Sequence, residues 1–374
     1  MRALTKAKPL TTKEEFSGSS PAPFVGHYGY PNVNVGLLAP PQNDETVWQH
    51  DAPKFWSQTN LSIQNIVEFR TGMINSRFVS NIKQTNKLVE LAQEVAMAEK
   101  PVDIDVALEK KPSLNLTTDQ WTAPLGPQAK LKKVQITSNP KIPTRVQRFY
   151  DDHDSKAVET ITKLYGTADE NSLCRMLSVG IFGKNRKLVP TRWSITATDD
   201  ILAKHFLDKV RDLPVGDYAV YFGSYLGNYY LILFFPEKWS YELFEMYVNP
   251  DMLEYSTDFE QFEGRKSYAE NCAGGYYTVR MALAEHQLKQ KRQNSVLALR
   301  FITDEYLLPL GVWVTREATR KALTNKPICF GSKELLLNYA LQLCKKKFNI
   351  DISQIIKKSF LLKRQASNLK RWLI

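Results

Sequence analysis

Apolar residues recur at helical spacing through Ile63, Ile66, Val67 and Phe69, and again through Leu88, Leu91 and Val95. That period predicts helix from Ile63 to about Glu99. A second helical face, Val158, Ile161, Leu164 and Tyr165, follows a run of acids, so Phe149 to Tyr165 is expected to open acidic and continue as helix. Residues 101 to 127 are punctuated by proline and read as loop. Between Ser19 and Pro41, glycines at 26, 29 and 36 interleave with β-branched and aromatic residues, the pattern of a short strand pair with tight turns. The second half is richer in strand. Tyr218 to Phe222 and Tyr229 to Phe235 flank Leu226-Gly227-Asn228, a hairpin turn. Residues 276 to 290 read as a helix entered through Gly274-Gly275, Ser295 to Ile302 as an apolar strand, and Glu317 to Leu323 and Lys333 to Lys347 as further helices. Strand and helix interleave without a βαβ period or an internal repeat. The expected class is α+β, a mixed sheet flanked by helices.

The chain of 374 residues is long enough for two domains or one large one. Four regions are expected: a polar, lysine-rich, disordered segment over 1–18, an N-terminal region over 19–150, a second region over 151–350, and a basic tail over 351–374. The longest apolar run, Tyr229 to Pro236, reads as a buried strand and falls far short of the ~20 residues that cross a bilayer. Met1, Arg2, Lys6, Lys8 and Lys13 have no apolar stretch behind them, so neither a signal peptide nor a membrane partner is expected. Cys174, Cys272, Cys329 and Cys344 are scattered and form no C-x-x-C pair, which excludes a disulfide framework and a zinc knuckle and suits a cytoplasmic, reduced compartment. A net charge of +11 directs attention to anionic partners, nucleic acid first.

That charge is concentrated in two places. Between Phe182 and Trp193 stand Lys184, Arg186, Lys187 and Arg192 with no acid among them, and Thr191, Ser194, Thr196 and Thr198 supply hydroxyls. Guanidinium forks, hydroxyls and free amides are what phosphate sites are made of; a solvated basic loop has the same composition. Asp199 and Asp200 are expected to begin a helix running to about Val210, as caps or as metal ligands. Asp151, Asp152 and Asp154 are the other acid cluster, able either to cap a helix or to hold Mg²⁺ or Mn²⁺ for phosphoester chemistry. A third group, Glu263, Arg265, Tyr276 and Arg280, would border a cleft beside the Gly274-Gly275 helix entry, where backbone N–H groups can approach an anion. No Walker motif, Rossmann fingerprint, H-E-x-x-H or G-x-S-x-G is present, so no enzyme class announces itself.

The second concentration is the C-terminus. Residues 341 to 374 carry nine Lys and Arg against one acid, Asp351. The chain then ends on Gln365-Ala-Ser-Asn-Leu-Lys-Arg-Trp-Leu-Ile374. One helical turn would put Leu369, Trp372 and Leu373 on one side and Lys370 and Arg371 on the other, the form of a short docking peptide. The alternative is that these side chains fold back onto the protein's own core. The spacing is similar to the sliding-clamp-binding peptide of replication and repair proteins. Gln365 stands one residue too early for strict register, and Leu373 replaces the second aromatic.

Taken in order, Ser20-Pro-Ala-Pro-Phe-Val-Gly, Gly29-Tyr-Pro, Tyr150-Asp-Asp-His-Asp-Ser-Lys-Ala157, Phe182-Gly-Lys-Asn-Arg-Lys-Leu-Val-Pro-Thr-Arg-Trp-Ser-Ile-Thr-Ala197, Glu263-Gly-Arg, Ala273-Gly-Gly-Tyr-Tyr and Pro309-Leu-Gly-Val-Trp resemble the archaeal Nre family of DNA-repair proteins. The resemblance runs from about residue 19 to the C-terminus, and the Val-Pro-Thr-Arg-Trp-Ser-Ile-Thr block is its most specific part. It implies DNA and the sliding clamp (PCNA) as partners, with Gln365, Leu369, Trp372 and Leu373 as the clamp-binding residues. It also implies a nucleotide- or nucleic-acid-phosphate site, with metal-dependent phosphoesterase activity or nucleotide sensing as the competing readings. Many members begin with a zinc ribbon; no cysteine precedes Cys174, so no metal is assigned and any DNA contact through that module is in doubt.

Overall fold

The computed structural model describes residues 13–113, 121–249 and 254–364. Its contacts divide the chain into two units. The first runs up to Leu202 and takes back Leu308–Gly311; the second holds Ala203–Leu307 and the chain from Val312 onward.

The first unit is built on six strands: β1 (Glu15–Ser20), β2 (Ala22–Val25), β3 (Asn32–Ala39), β4 (Ile74–Asn81), β5 (Val102–Leu108) and β6 (Gln128–Ile136). They form one sheet in the order β1-β5-β6-β4-β3-β2. Every pairing is antiparallel except β4 with β6. A 3₁₀ turn (Glu45–Asp51) and helices α1 (Pro53–Gln58), α2 (Ile63–Thr71), α3 (Lys87–Met97), α4 (Thr144–Asp151), α5 (Ala157–Leu164) and α6 (Glu170–Ser178) complete it. Val33, Val35 and Leu37 are buried along one face of β3, and Leu38 and Ala39 are buried beside them, so its second half is covered on both faces.

Four sequence expectations are corrected in this unit. The expected helix from Ile63 to Glu99 is two helices around β4, because α2 stops at Gly72 and Ile74–Asn81 pairs with β3 on one side and β6 on the other. The expected loop over 101–127 contains β5, whose Val102, Ile104, Val106 and Leu108 are buried at strict alternation. Its acids have a strand reason: Asp103 and Asp105 accept the hydroxyls of Ser19 and Ser17 on the neighbouring strand, each at 2.6 Å. Those serines belong to β1, so the end of the stretch expected to be disordered, Glu15 to Gly18, is paired sheet; residues 1–12 lie outside the described residues. Finally, the helix expected over Phe149–Tyr165 is two short ones, α4 and α5, with the acids in the turn between them.

Helix α7 (Thr191–Val210) begins within the first unit and ends in the second. The second unit continues with β7 (Tyr218–Tyr225), β8 (Asn228–Phe235), β9 (Ser240–Tyr247), β10 (Tyr255–Glu260), α8 (Ala273–Gln290), β11 (Ser295–Ile302), α9 (Trp313–Thr324), β12 (Ile328–Phe330), α10 (Lys333–Phe348) and α11 (Ser353–Lys358). Its sheet runs β10-β9-β11-β8-β7-β12, again with a single parallel pair, β9 with β11. The β7–β8 hairpin closes on Leu226-Gly227, both at positive φ, a turn that favours glycine at its second position. Strand parity assigns the two sheet faces. Leu231, Leu233 and Phe235 share a core with Leu336, Ala340, Cys344 and Phe348 of α10, while Tyr221 and Phe234 meet His286 of α8 on the other side. Buried on both faces, β8 and β11 read as near-continuous apolar runs, interrupted in β11 by Arg300.

The segment read as the start of the basic tail belongs to this core. Ile352, Ile355, Leu361 and Leu362 are buried against the α10 cluster, so the lysines of 351–364 are the outer face of a packed element. Among the described residues no helix is long and apolar enough to cross a membrane. The expected class holds: two mixed sheets, each flanked by helices.

Candidate functional site

The basic block is a closed loop leading into a long helix. Its neck is a reciprocal pair: Val189 N–H donates to Ser178 O and Ser178 Oγ donates to Val189 O, each at 2.8 Å. Gly180 opens the loop at φ +75, and a Cβ there would lie 2.9 Å from the carbonyls of Arg186 and Lys187. Glycine is needed where the loop folds back over its own start. Pro190 then precedes α7, which begins at Thr191 and has no acid in its first turn. The positive end of the helix dipole adds to the lysine charge. The helix therefore starts eight residues earlier than expected. Asp199 and Asp200 lie inside it rather than at its head, with Asp199 fully buried.

The four cations divide by role. Arg186 turns inward: its Nη2 donates to the backbone carbonyls of Tyr150 at 2.5 Å and Asp152 at 2.9 Å, and its guanidinium lies 5.3 Å from the Tyr150 ring. Arg192 lies 4.8 Å over the Trp121 ring and donates through Nη1 to His27 Nε2 at 3.0 Å. The Nε of each arginine is buried with no hydrogen-bond partner among the described residues. Lys184 and Lys187 stand exposed. The arginines thus hold the loop in shape, and the lysines face solvent.

A strand-to-loop ladder ties this loop to the turn after β2. Leu188 N–H donates to Ile82 O, and Ile82 N–H donates to Pro31 O, both at 2.9 Å. Val25 N–H donates to Thr191 Oγ1 at 2.9 Å. The segments Gly26-His-Tyr-Gly-Tyr-Pro31 and Val189-Pro-Thr-Arg-Trp193, 160 positions apart in sequence, are therefore neighbours in the fold. His27, Tyr28, Tyr30, Trp121 and Trp193 belong to this site although sequence reasoning did not choose them as site residues. The signal was there in the aromatic density between glycines, which was spent on predicting turns.

Asp151, Asp152 and Asp154 occupy the end of α4 and the turn between α4 and α5, where local donors engage two of them. Asp152 accepts from Asp154 N, Ser155 N and Ser155 Oγ, and these bonds, the Ser155 hydroxyl first, hold its carboxyl below the usual range. Asp151 accepts from Gln147 Nε2 at 3.0 Å, and Asp154 is exposed. Among the described residues no three His, Cys, Asp or Glu side chains are grouped to hold a metal. Asp151, Asp152 and Asp154 serve a turn whose carbonyls receive Arg186.

The third predicted group lies in the second unit and is committed internally. Arg280 is buried, with Nε 2.9 Å from Glu260 Oε1; Tyr276 OH and Trp239 Nε1 donate to the same carboxylate at 2.7 and 2.9 Å. Arg265 pairs with Asp258 at 3.0 Å and donates to the carbonyls of Phe259 and Tyr268. Glu263 is exposed. Beside Gly275 the anion is the protein's own: an added Cβ would sit 2.4 Å from Glu245 Oε1. Gln365, Leu369, Trp372 and Leu373, expected from the sequence to bind the clamp, lie outside the described residues.

Comparison with known proteins agrees with the residue-level resemblance. The family model described as "Archaeal Nre, N-terminal" matches residues 1–252, and "Archaeal Nre, C-terminal" matches residues 260–372. The chain is 35% identical over 366 residues to the DNA repair protein NreB of Archaeoglobus fulgidus, covering 95% of this chain and 91% of that protein. It is 34% identical over 325 residues to the DNA repair protein NreA of Haloferax volcanii, covering 82% and 77%. No solved structure matches it.

Proposed function

The chain belongs to the archaeal Nre family, and from that premise we propose that it is a DNA-repair factor whose basic loop holds nucleic-acid phosphate while its C-terminal peptide docks on the sliding clamp. The observation that carries the phosphate reading is the division of labour in the loop: Arg186 and Arg192 are anchored to the body, and Lys184 and Lys187 are held outward at the head of an acid-free helix start. The repair role follows from the relatives, which are named as repair proteins. The clamp reading rests on the spacing of Leu369, Trp372 and Leu373. A tether of modest affinity raises the local concentration of the body at DNA by mass action.

The phosphate reading is tested by fluorescence anisotropy with labelled DNA over a salt series, comparing wild type with Lys184→Ala/Lys187→Ala. Each lost phosphate contact lowers the log K against log salt slope by about 0.7–0.9. A drop of roughly 1–2 units is expected for the pair; an unchanged slope and affinity rejects the loop as the phosphate site.

A further inference from the structure

Three aromatic side chains beside the basic loop are exposed: Tyr28 at 79%, Tyr30 at 53% and Trp193 at 45%. Single exposed aromatics are ordinary surface. These three share one place. Tyr30 and Trp193 pack ring to ring, with centroids 5.4 Å apart and tilted by 59°. Tyr28 packs on His27 with centroids 4.0 Å apart, and His27 accepts from Arg192, the residue before Trp193. The backbone that carries them is fixed. Pro31 O receives Ile82 N–H, and Asn32 Oδ1 receives Asn81 Nδ2 at 2.9 Å. The turn after β4 presents Lys83, whose N–H donates to Asn81 Oδ1 at 3.1 Å, and Ile82 O receives the basic loop at Leu188. Lys83, Lys184 and Lys187 are all exposed. Exposed aromatics and cations thus share segments laced together by backbone hydrogen bonds.

We propose that Tyr28, Tyr30 and Trp193 form a stacking platform for the unpaired bases of single-stranded DNA, with the strand's phosphates running along Lys83, Lys184 and Lys187. This rests on the phosphate reading above and narrows its substrate. The chemistry selects the occupant. Duplex DNA shows its phosphates but keeps its base faces stacked, so it meets the lysines and leaves the rings without contact. An unpaired strand offers both, and every base has a π face, so the platform tolerates sequence. A protein partner that buries aromatics needs no row of lysines beside them. The charge complementarity therefore favours a polyanion.

The test uses the full chain and an oligothymidylate of about 15 nucleotides, within the ~4–16-nucleotide footprint usual for one such site. A second oligomer carries a fluorescent purine analogue whose emission is quenched on stacking. Wild type is expected to bind the single strand more tightly than a duplex of equal length and to quench the analogue. Tyr28→Ala/Tyr30→Ala and Trp193→Ala should each lose about 10-fold or more on the single strand, since ring–base stacking contributes on the order of 1–3 kcal/mol per base, and should lose quenching while keeping the wild-type salt slope. Trp193→Phe should recover most of the binding. Thermal unfolding midpoints should match wild type, because the three rings are solvent-facing. Wild-type affinity and quenching in the aromatic variants would overturn the platform; if Lys184→Ala/Lys187→Ala is weakened in the same assay, the phosphate reading survives that failure. Absence of any DNA binding by wild type would remove both. Tighter binding of an oligouridylate than of the DNA would transfer the surface to RNA and overturn the proposal.

Discussion

Ser359 donates its hydroxyl to the carboxylate of Glu242 across 117 positions of sequence. The backbone N–H groups of Phe360 and Leu361 donate to the same carboxylate, each at 3.1 Å. A side chain on β9 thus caps the helical turn over residues 360–364, satisfying donors that a helix start leaves open. Glu242→Ala should destabilise the second unit by about 1–3 kcal/mol, the cost of leaving buried donors unmet. Burial raises the Glu242 pKa above its ordinary 4.5, outweighing the opposing hydrogen bonds from Ser359, Leu361 and Phe360. A raised carboxyl contributes stability that is complete below its unfolded pKa and is lost as pH rises through the folded value. Glu242→Gln should remove that slope. Urea unfolding from acid to neutral pH reads it directly, and an identical slope in the Gln variant would show that Glu242 is not its source.

Arg280 was a phosphate-site candidate, and the structure gives it an internal partner instead. Removing one member of the buried Arg280–Glu260 pair strands the other, at a cost of about 3–5 kcal/mol. Arg280→Met is expected to lower the denaturation midpoint without changing the salt slope of DNA binding at temperatures where it is folded. Arg280→Met with Glu260→Leu should recover part of the loss, although Trp239 and Tyr276 then lose their acceptor. A double variant no more stable than the single one would mean that the charge pair is not the main term.

Elements whose pattern is local were legible in the sequence. The β7–β8 hairpin, strand β11 and helix α10 follow from apolar runs, one Leu-Gly turn and helical spacing. Strands β4 and β5 were not: the helical spacing on either side of Ile74–Asn81 masks β4, and Asp103 and Asp105 look like loop residues until their cross-strand partners are known. The start of α7 was hidden because Pro190 and four nearby cations read as loop, whereas proline directly before a helix marks its beginning. In the site, the cations were visible and their division was not. Arg186 binds backbone carbonyls at Tyr150 and Asp152, and carbonyls leave no trace in residue identity. The aromatic side of the site depends on residues 28–30 meeting residue 193, a pairing that the topology makes and local pattern does not.

Gly275 faces Glu245, whose Oε1 receives Arg300 Nη1 at 2.7 Å while Arg300 also donates twice to Asn228. A methyl group at position 275 would have to displace this carboxylate. Gly275→Ala should therefore destabilise by about 1–3 kcal/mol, the usual cost of overpacking, despite alanine's better helix propensity. Gly331→Ala is the control, since nothing lies within 4 Å of its added Cβ. Thermal melts of the two variants decide it; equal midpoints would show that the Glu245–Arg300 pair yields without cost.

The proposal that the C-terminal peptide docks on the sliding clamp gives the last prediction. A one-turn plug concentrates its binding free energy in its large apolar anchors, so truncating two of them should eliminate measurable affinity. Leu369→Ala/Trp372→Ala is expected to abolish heat of binding when the archaeal sliding clamp is titrated into it by calorimetry, with the unfolding midpoint unchanged. Gln365→Ala should cost far less, because Gln365 stands one residue out of register with those anchors. Charge and anchor effects separate by salt. Lys370→Ala/Arg371→Ala should weaken clamp binding only modestly, and less as ionic strength rises, because exposed charges are screened over about 10 Å at 0.1 M. Equal affinity of wild type and the Leu369/Trp372 variant would leave the family's repair role without this tether and would require recruitment through the body alone.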